Sequence, residues 1–150
     1  MSSTIDFVAA LKDAFPRQEV KSRTFEIYVE ELSDIPLPTL GAVVKVLIRT
    51  SEFFPSIRAI REAAAEITLG LPNEDEALSQ VERRIAVRGG DVHPDVKRAL
   101  DHVGGYFVFK STSEPSVVRG QFLRIYREIR ADRIRAFQVG DFRSQLTAVS

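Results

Sequence analysis

The chain contains no cysteine, no tryptophan, one methionine, two histidines and no net charge at pH 7. Without cysteine there is no disulfide framework and no thiolate metal site, and a reducing compartment is allowed. Lysine plus arginine number 21 and aspartate plus glutamate 21. That balance differs from the overall basic charge usual for a DNA-binding domain. No apolar run approaches the ~20 residues needed to span a bilayer. The opening segment, MSSTIDFVAALKDAF, has neither a basic start nor a small-residue cleavage site. The expectation is a cytoplasmic protein without a membrane contact.

Catalytic signatures are missing as well. A phosphate loop needs glycines leading into Lys-Ser or Lys-Thr, and Lys110-Ser111 follows an aromatic run instead. An ATPase of the AAA type is therefore excluded. No nucleophile elbow, His-Glu-x-x-His pair or dinucleotide fingerprint is present. His93 and His102 lie too far apart for one metal-binding helix face. His93 precedes Pro94 and suits a helix cap. Glu30, Glu31 and Asp34 read as a solvated acidic face, because adjacent helical residues do not face one another. The expectation is no enzyme, no cofactor and no metal.

What remains is a succession of helical stripes, punctuated by proline and glycine. Phe7, Leu11 and Phe15 mark a helix over about 4–15, stopped by Pro16. Phe25, Tyr28, Val29 and Leu32 follow at i, i+3, i+4 and i+7. A third helix, from Pro38 to Thr50, is apolar nearly all round, which predicts a central position. A fourth starts near Pro55-Ser56 and ends at Gly70. Leu71-Pro72-Asn73 is the candidate lobe boundary, and Asn73 with Glu76 resembles a capping box. Further helices run to Gly89-Gly90 and from Pro94 to Gly104-Gly105. Tyr106 to Phe109 is too short to assign by period. A long arginine-rich helix covers about 116–138. The predicted fold is all-α, with about six or seven helices in two small lobes. The lobes are 1–72 and 73–139, and 140–150 is expected to be a flexible tail.

Charge is uneven along this neutral chain. Residues 1–35 hold four basic and seven acidic side chains, whereas 116–150 hold seven arginines against Glu128, Asp132 and Asp141. On the last helix, Arg119, Arg127, Arg130 and Arg133 fall in a band beside or opposite the apolar stripe. Such a face can meet an acidic protein surface or nucleic-acid phosphates, or simply solubilise the helix. The last is favoured modestly over direct DNA binding, and a weak nucleic-acid contact stays open. Phe53 and Phe54, after a helix end, are read first as core plugs. The other reading makes one of them a partner anchor.

The order Phe25, Tyr28, Leu32, Asp34-Ile35-Pro36, Ala42-Val43, Phe53-Phe54-Pro55-Ser56-Ile57 and Ile60 resembles the N-terminal module of phage and prophage helicase loader-and-inhibitor proteins. Ala99-Leu100, Gly104-Gly105-Tyr106, Phe122 and Tyr126 are similar to a segment that recurs in phage replication proteins. The resemblance implies a non-catalytic replication adaptor. Its partner would be the replicative DNA helicase or another replisome protein, which it loads or restrains. Arg119, Arg127, Arg130, Arg133, Phe53 and Phe54 are the candidate partner-binding residues. The alternative is a DNA-binding regulator with a helix-turn-helix-like element around 57–70.

Overall fold

The computed structural model describes residues 3–87 and 90–144. Eight helices follow one another: α1 Thr4–Ala14, α2 Ser22–Leu32, α3 Leu37–Thr50, α4 Ile57–Leu69, α5 Glu74–Val87, α6 Pro94–His102, α7 Gly105–Ser111 and α8 Pro115–Val139. The protein is all-helical among the described residues. The helix beyond the six or seven expected is α7, the aromatic run that the sequence left unassigned. None of these helices is long and apolar enough to cross a membrane.

The caps explain most boundaries. The Ser3 side chain accepts from the Asp6 N–H at 3.2 Å, and Asn73 Oδ1 accepts from the Glu76 N–H at 2.8 Å. Pro94 sits in the first turn of α6, and His93 Nδ1 accepts from the Asp95 N–H at 3.1 Å. Between α6 and α7 the chain reverses at Gly104, whose φ is +105°. A Cβ there would stand 2.5 Å from Val108 Cγ2, so only glycine fits the turn.

The chain divides into two compact units. The first comprises Met1–Leu69 with Ile134–Ser150, the second Gly70–Arg133. Residues 134–139, assigned by sequence to the second lobe, therefore group with the first. In the first unit α1 packs on α2 and α3, and α4 packs on α2 and α3. Its buried side chains include Phe7, Leu11, Leu32, Leu40, Val43 and Ile60. In the second, α5, α6 and α7 pack together. With Val118, Phe122 and Tyr126 of α8 they enclose a core around Ala77, Val81, Val96 and Leu100.

Two expectations are corrected here. Helix α3 is not central on all sides. Leu40, Val43 and Leu47 face inward, while Val46 and Ile48 stay 44% and 47% exposed. Helices α1 and α4 cover only one flank, so the outer apolar residues share solvent with Lys45 and Arg49. Residues 140–144, expected in a flexible tail, are tied down. Phe142 is fully buried, its ring 4.5 Å from Phe137, and its N–H donates to Asp34 Oδ2 at 2.7 Å. One aromatic without periodic neighbours is no helix signal, yet it fills a place beside Phe137. Residues 145–150 of that tail lie outside the described residues.

Candidate functional site

The segment 51–55, between α3 and α4, separates its two phenylalanines. Phe54 is half-buried, with its ring 6.1 Å from Phe15 and 5.3 Å from Tyr28, both edge-on. Its N–H donates to Gln18 Oε1. The Tyr28 hydroxyl donates to the Pro55 carbonyl at 2.9 Å, and Pro55 is buried. Burial raises the Tyr28 hydroxyl above its ordinary pKa. Ser51 Oγ donates to the Phe53 carbonyl at 2.6 Å. The backbone of this corner is thus held at several points, yet the Phe53 side chain is 64% exposed. The two residues do not both plug the core: Phe54 fixes the corner and Phe53 projects from it.

The arginines of α8 are not a free basic face. Arg119 Nε lies 3.1 Å from Glu82, and Arg127 bonds Glu74 through Nε at 2.6 Å and Nη2 at 3.0 Å. The Arg127 bonds hold the Glu74 carboxyl below its usual range, against some burial. Arg133 grips Asp95, its Nε 3.1 Å from Oδ2 and its Nη2 3.1 Å from Oδ1. Asp95 is 2% exposed and also takes Arg98 Nη1 at 3.4 Å. Arg130 is half-buried, with its Nε shut off from water. A purely solubilising face would leave Arg127 and Arg130 in water. Arg127 is exposed but committed to a carboxylate, and Arg130 is partly enclosed. The helical period gave the direction of these side chains, not the acids waiting for them on α5 and α6.

Sequence reasoning missed a buried, heavily bonded residue of the first unit, Arg61. It is 7% exposed. Nη1 donates to Asp34 Oδ1 at 2.7 Å and to the Glu31 carbonyl at 2.9 Å. Nη2 donates to Asp34 Oδ2 at 2.9 Å and to the carbonyls of Phe137 at 2.7 Å and Gly140 at 3.1 Å. Burial pushes the Asp34 carboxyl up, but the Arg61 bonds, the Phe142 N–H and the Arg61 charge outweigh it and hold it below the ordinary value. Asp34 is therefore a counter-ion rather than part of a solvated acidic face. The available signal was Arg61's place on the helix face that also carries Ala64 and Ala65, a stripe otherwise apolar.

Helix α4 was the candidate recognition element of the DNA-binding alternative. Its exposed and half-exposed charges are Arg58, Glu62 and Glu66, and Arg61 is consumed inside the protein. Residues 51–56 separate it from α3, a longer connection than the about three or four residues of a helix-turn-helix. Neither feature favours phosphate contact.

A second surface feature lies in the second unit. A cleft of about 230 Å³ is bounded by Arg84 and Ile85 of α5 and by Tyr106, Phe107 and Lys110 of α7. Among the described residues there is no group of three or more potential metal ligands. His93 serves as a cap, and His102 is exposed. Comparison with family models, with curated proteins and with solved structures finds no match for the chain.

Proposed function

We propose that this protein is a non-catalytic DNA-replication adaptor, acting in the cytoplasm, that binds a replicative helicase and loads or restrains it. Phe53 carries this reading. A large apolar side chain 64% exposed, on a backbone held through Ser51, Gln18 and the Phe54 ring, suits an anchor whose backbone needs little further ordering on binding. It lies inside the stretch that resembles helicase loader-and-inhibitor proteins. Arg119, Arg127, Arg130 and Arg133 have a lesser part. Three of them are engaged by Glu82, Glu74 and Asp95, and the fourth is half-buried. A partner would have to compete with carboxylates already in place.

The test is surface binding of the purified hexameric helicase of the host to the parent protein and to Phe53→Ala. An exposed side chain can be truncated with little effect on the fold. Loss of a buried anchor should weaken binding by about 2 kcal/mol or more, roughly 30-fold. Equal affinity of parent and variant removes Phe53 from the interface, and no binding by the parent removes the helicase.

A further inference from the structure

The cleft on the second unit joins three properties. First, it is positive. Arg84 and Lys110 are the charged residues that line it, and neither meets a carboxylate among the described residues. Several other arginines of this unit are paired with carboxylates: Arg83 with Glu76, Arg119 with Glu82, Arg127 with Glu74 and Arg133 with Asp95. Secondly, it presents an aromatic ring. Helix α7 sends Phe109 into the core, and Phe107, about 200° away around the helix, points outward and is 80% exposed. Thirdly, a second ring lines it: Tyr106 has Arg84 Cζ 5.7 Å from its centroid, and also Lys97 Nζ at 5.6 Å, although that ammonium is paired with Asp101 at 2.5 Å.

A ligand for this place carries negative charge and a flat apolar face. The cleft is smaller than the ~300–1,000 Å³ of pockets that enclose drug-sized molecules. One planar group with charged neighbours fits it. A duplex keeps its bases stacked on each other, whereas a single strand offers them to an aromatic platform. We propose that this cleft binds single-stranded nucleic acid, with a base stacked on Phe107 and the flanking phosphates held by Arg84 and Lys110. The site lies in the unit that lacks Phe53 and stands or falls separately from the helicase reading.

The experiment follows the fluorescence anisotropy of a labelled oligothymidylate of about 12 nucleotides, within the ~4–16 nucleotides that comparable small domains cover. The full chain is titrated into it at several salt concentrations. Parallel titrations use a duplex of the same length and polyglutamate, an acidic polymer without rings. The parent should prefer the single strand. Phe107→Ala should weaken binding by about tenfold, within the range of one lost base stack, and leave the salt slope unchanged. Phe107→Leu should weaken it similarly, because bulk without a ring face cannot stack, and Phe107→Trp should keep or tighten it. Lys110→Glu should flatten the slope by at least about 0.7, the share of one phosphate contact on a single strand. Circular dichroism checks that each variant is folded. Binding by the parent that is undetectable, that is equal for duplex, or that is matched by polyglutamate overturns the proposal. So does a Phe107→Leu variant that binds as the parent does.

Discussion

Replacing Arg61 by methionine removes the guanidinium but keeps a long apolar stem on α4. The change strands Asp34, whose side chain is 19% exposed, together with the carbonyls of Glu31, Phe137 and Gly140. Breaking a buried ion pair by deleting one partner costs about 3–5 kcal/mol, most of it the desolvation of what is left behind. Partial access of water to Asp34 favours the lower end, and three abandoned carbonyls push the other way. A loss of about 3–4 kcal/mol for Arg61→Met is therefore expected. Urea unfolding followed by circular dichroism reads it as a lower midpoint at unchanged slope. The melting temperature should fall by about 2–4 °C for each kcal/mol. If the two units unfold separately, only the transition of the first should move. Asp34→Asn keeps an acceptor for the Phe142 N–H but removes the charge. The double variant should then lose less than the two single losses combined, with a coupling of about 1–3 kcal/mol. If Arg61→Met unfolds within about 1 kcal/mol of the parent, or if the two losses simply add, Arg61 and Asp34 do not stabilise the first unit as a pair.

Acid should erode the same contribution. The Asp34 carboxyl binds its proton less readily folded than unfolded. Its stabilisation is thus complete above about pH 4 and fades as the pH falls through the depressed value. The acid-side loss should shrink in Arg61→Met. In the second unit the Tyr126 hydroxyl, fully buried, donates to the Pro72 carbonyl at 2.6 Å. Tyr126→Phe should cost about 1–3 kcal/mol in thermal or urea unfolding. Burial, opposed by Arg130 and reinforced by Asp95 and Glu74, pushes this hydroxyl to about 12, so absorbance at alkaline pH should show it ionising last or with unfolding. Leu47→Ala, inside the first core, should cost about 2–5 kcal/mol, and Glu30→Ala, on an exposed face, within about 0.5 kcal/mol. Urea midpoints in the reverse order would contradict the assignment of faces.

Helix positions were legible because their causes are local. Asn73 three residues before Glu76, Pro94 after His93, and Gly104-Gly105 each act within one turn of chain, and each stands where its chemistry requires. Side-chain partners were not legible, because they arrive from far away in sequence. Asp34 lies 27 residues before Arg61, and the Phe137 carbonyl lies 76 after it. Periodicity could place Arg127 and Arg133 on the outside of a stripe. It could not see that α5 and α6 bring Glu74 and Asp95 to them. Aromatic pairs posed the same difficulty. In Phe53-Phe54 and in Phe107-Val108-Phe109 one ring is packed and another exposed, and neighbours in sequence carry no label saying which.

That last ambiguity has a functional consequence. The acidic front and basic back are compatible with an interaction surface at either end or with two solvated helix faces. The ion pairs neutralise much of the basic back within its own unit, at Glu82, Glu74 and Asp95. Long-range steering by α8 is weakened accordingly, since a paired arginine presents little net field beyond the Debye length of about 8–10 Å. Two local features stand out for recognition: a ring at Phe53, and a ring at Phe107 beside Arg84 and Lys110. The two should respond differently to salt. Binding through Phe53 rests on desolvation of an apolar face and should change little between low and moderate ionic strength. Binding through the Phe107 cleft releases counter-ions and should weaken steadily. A complex that loses affinity with Phe53→Ala but shows no salt dependence, and an oligonucleotide complex with the opposite behaviour, would assign the two rings to two separate ligands. If both variants impair one and the same complex, a single partner must reach both units.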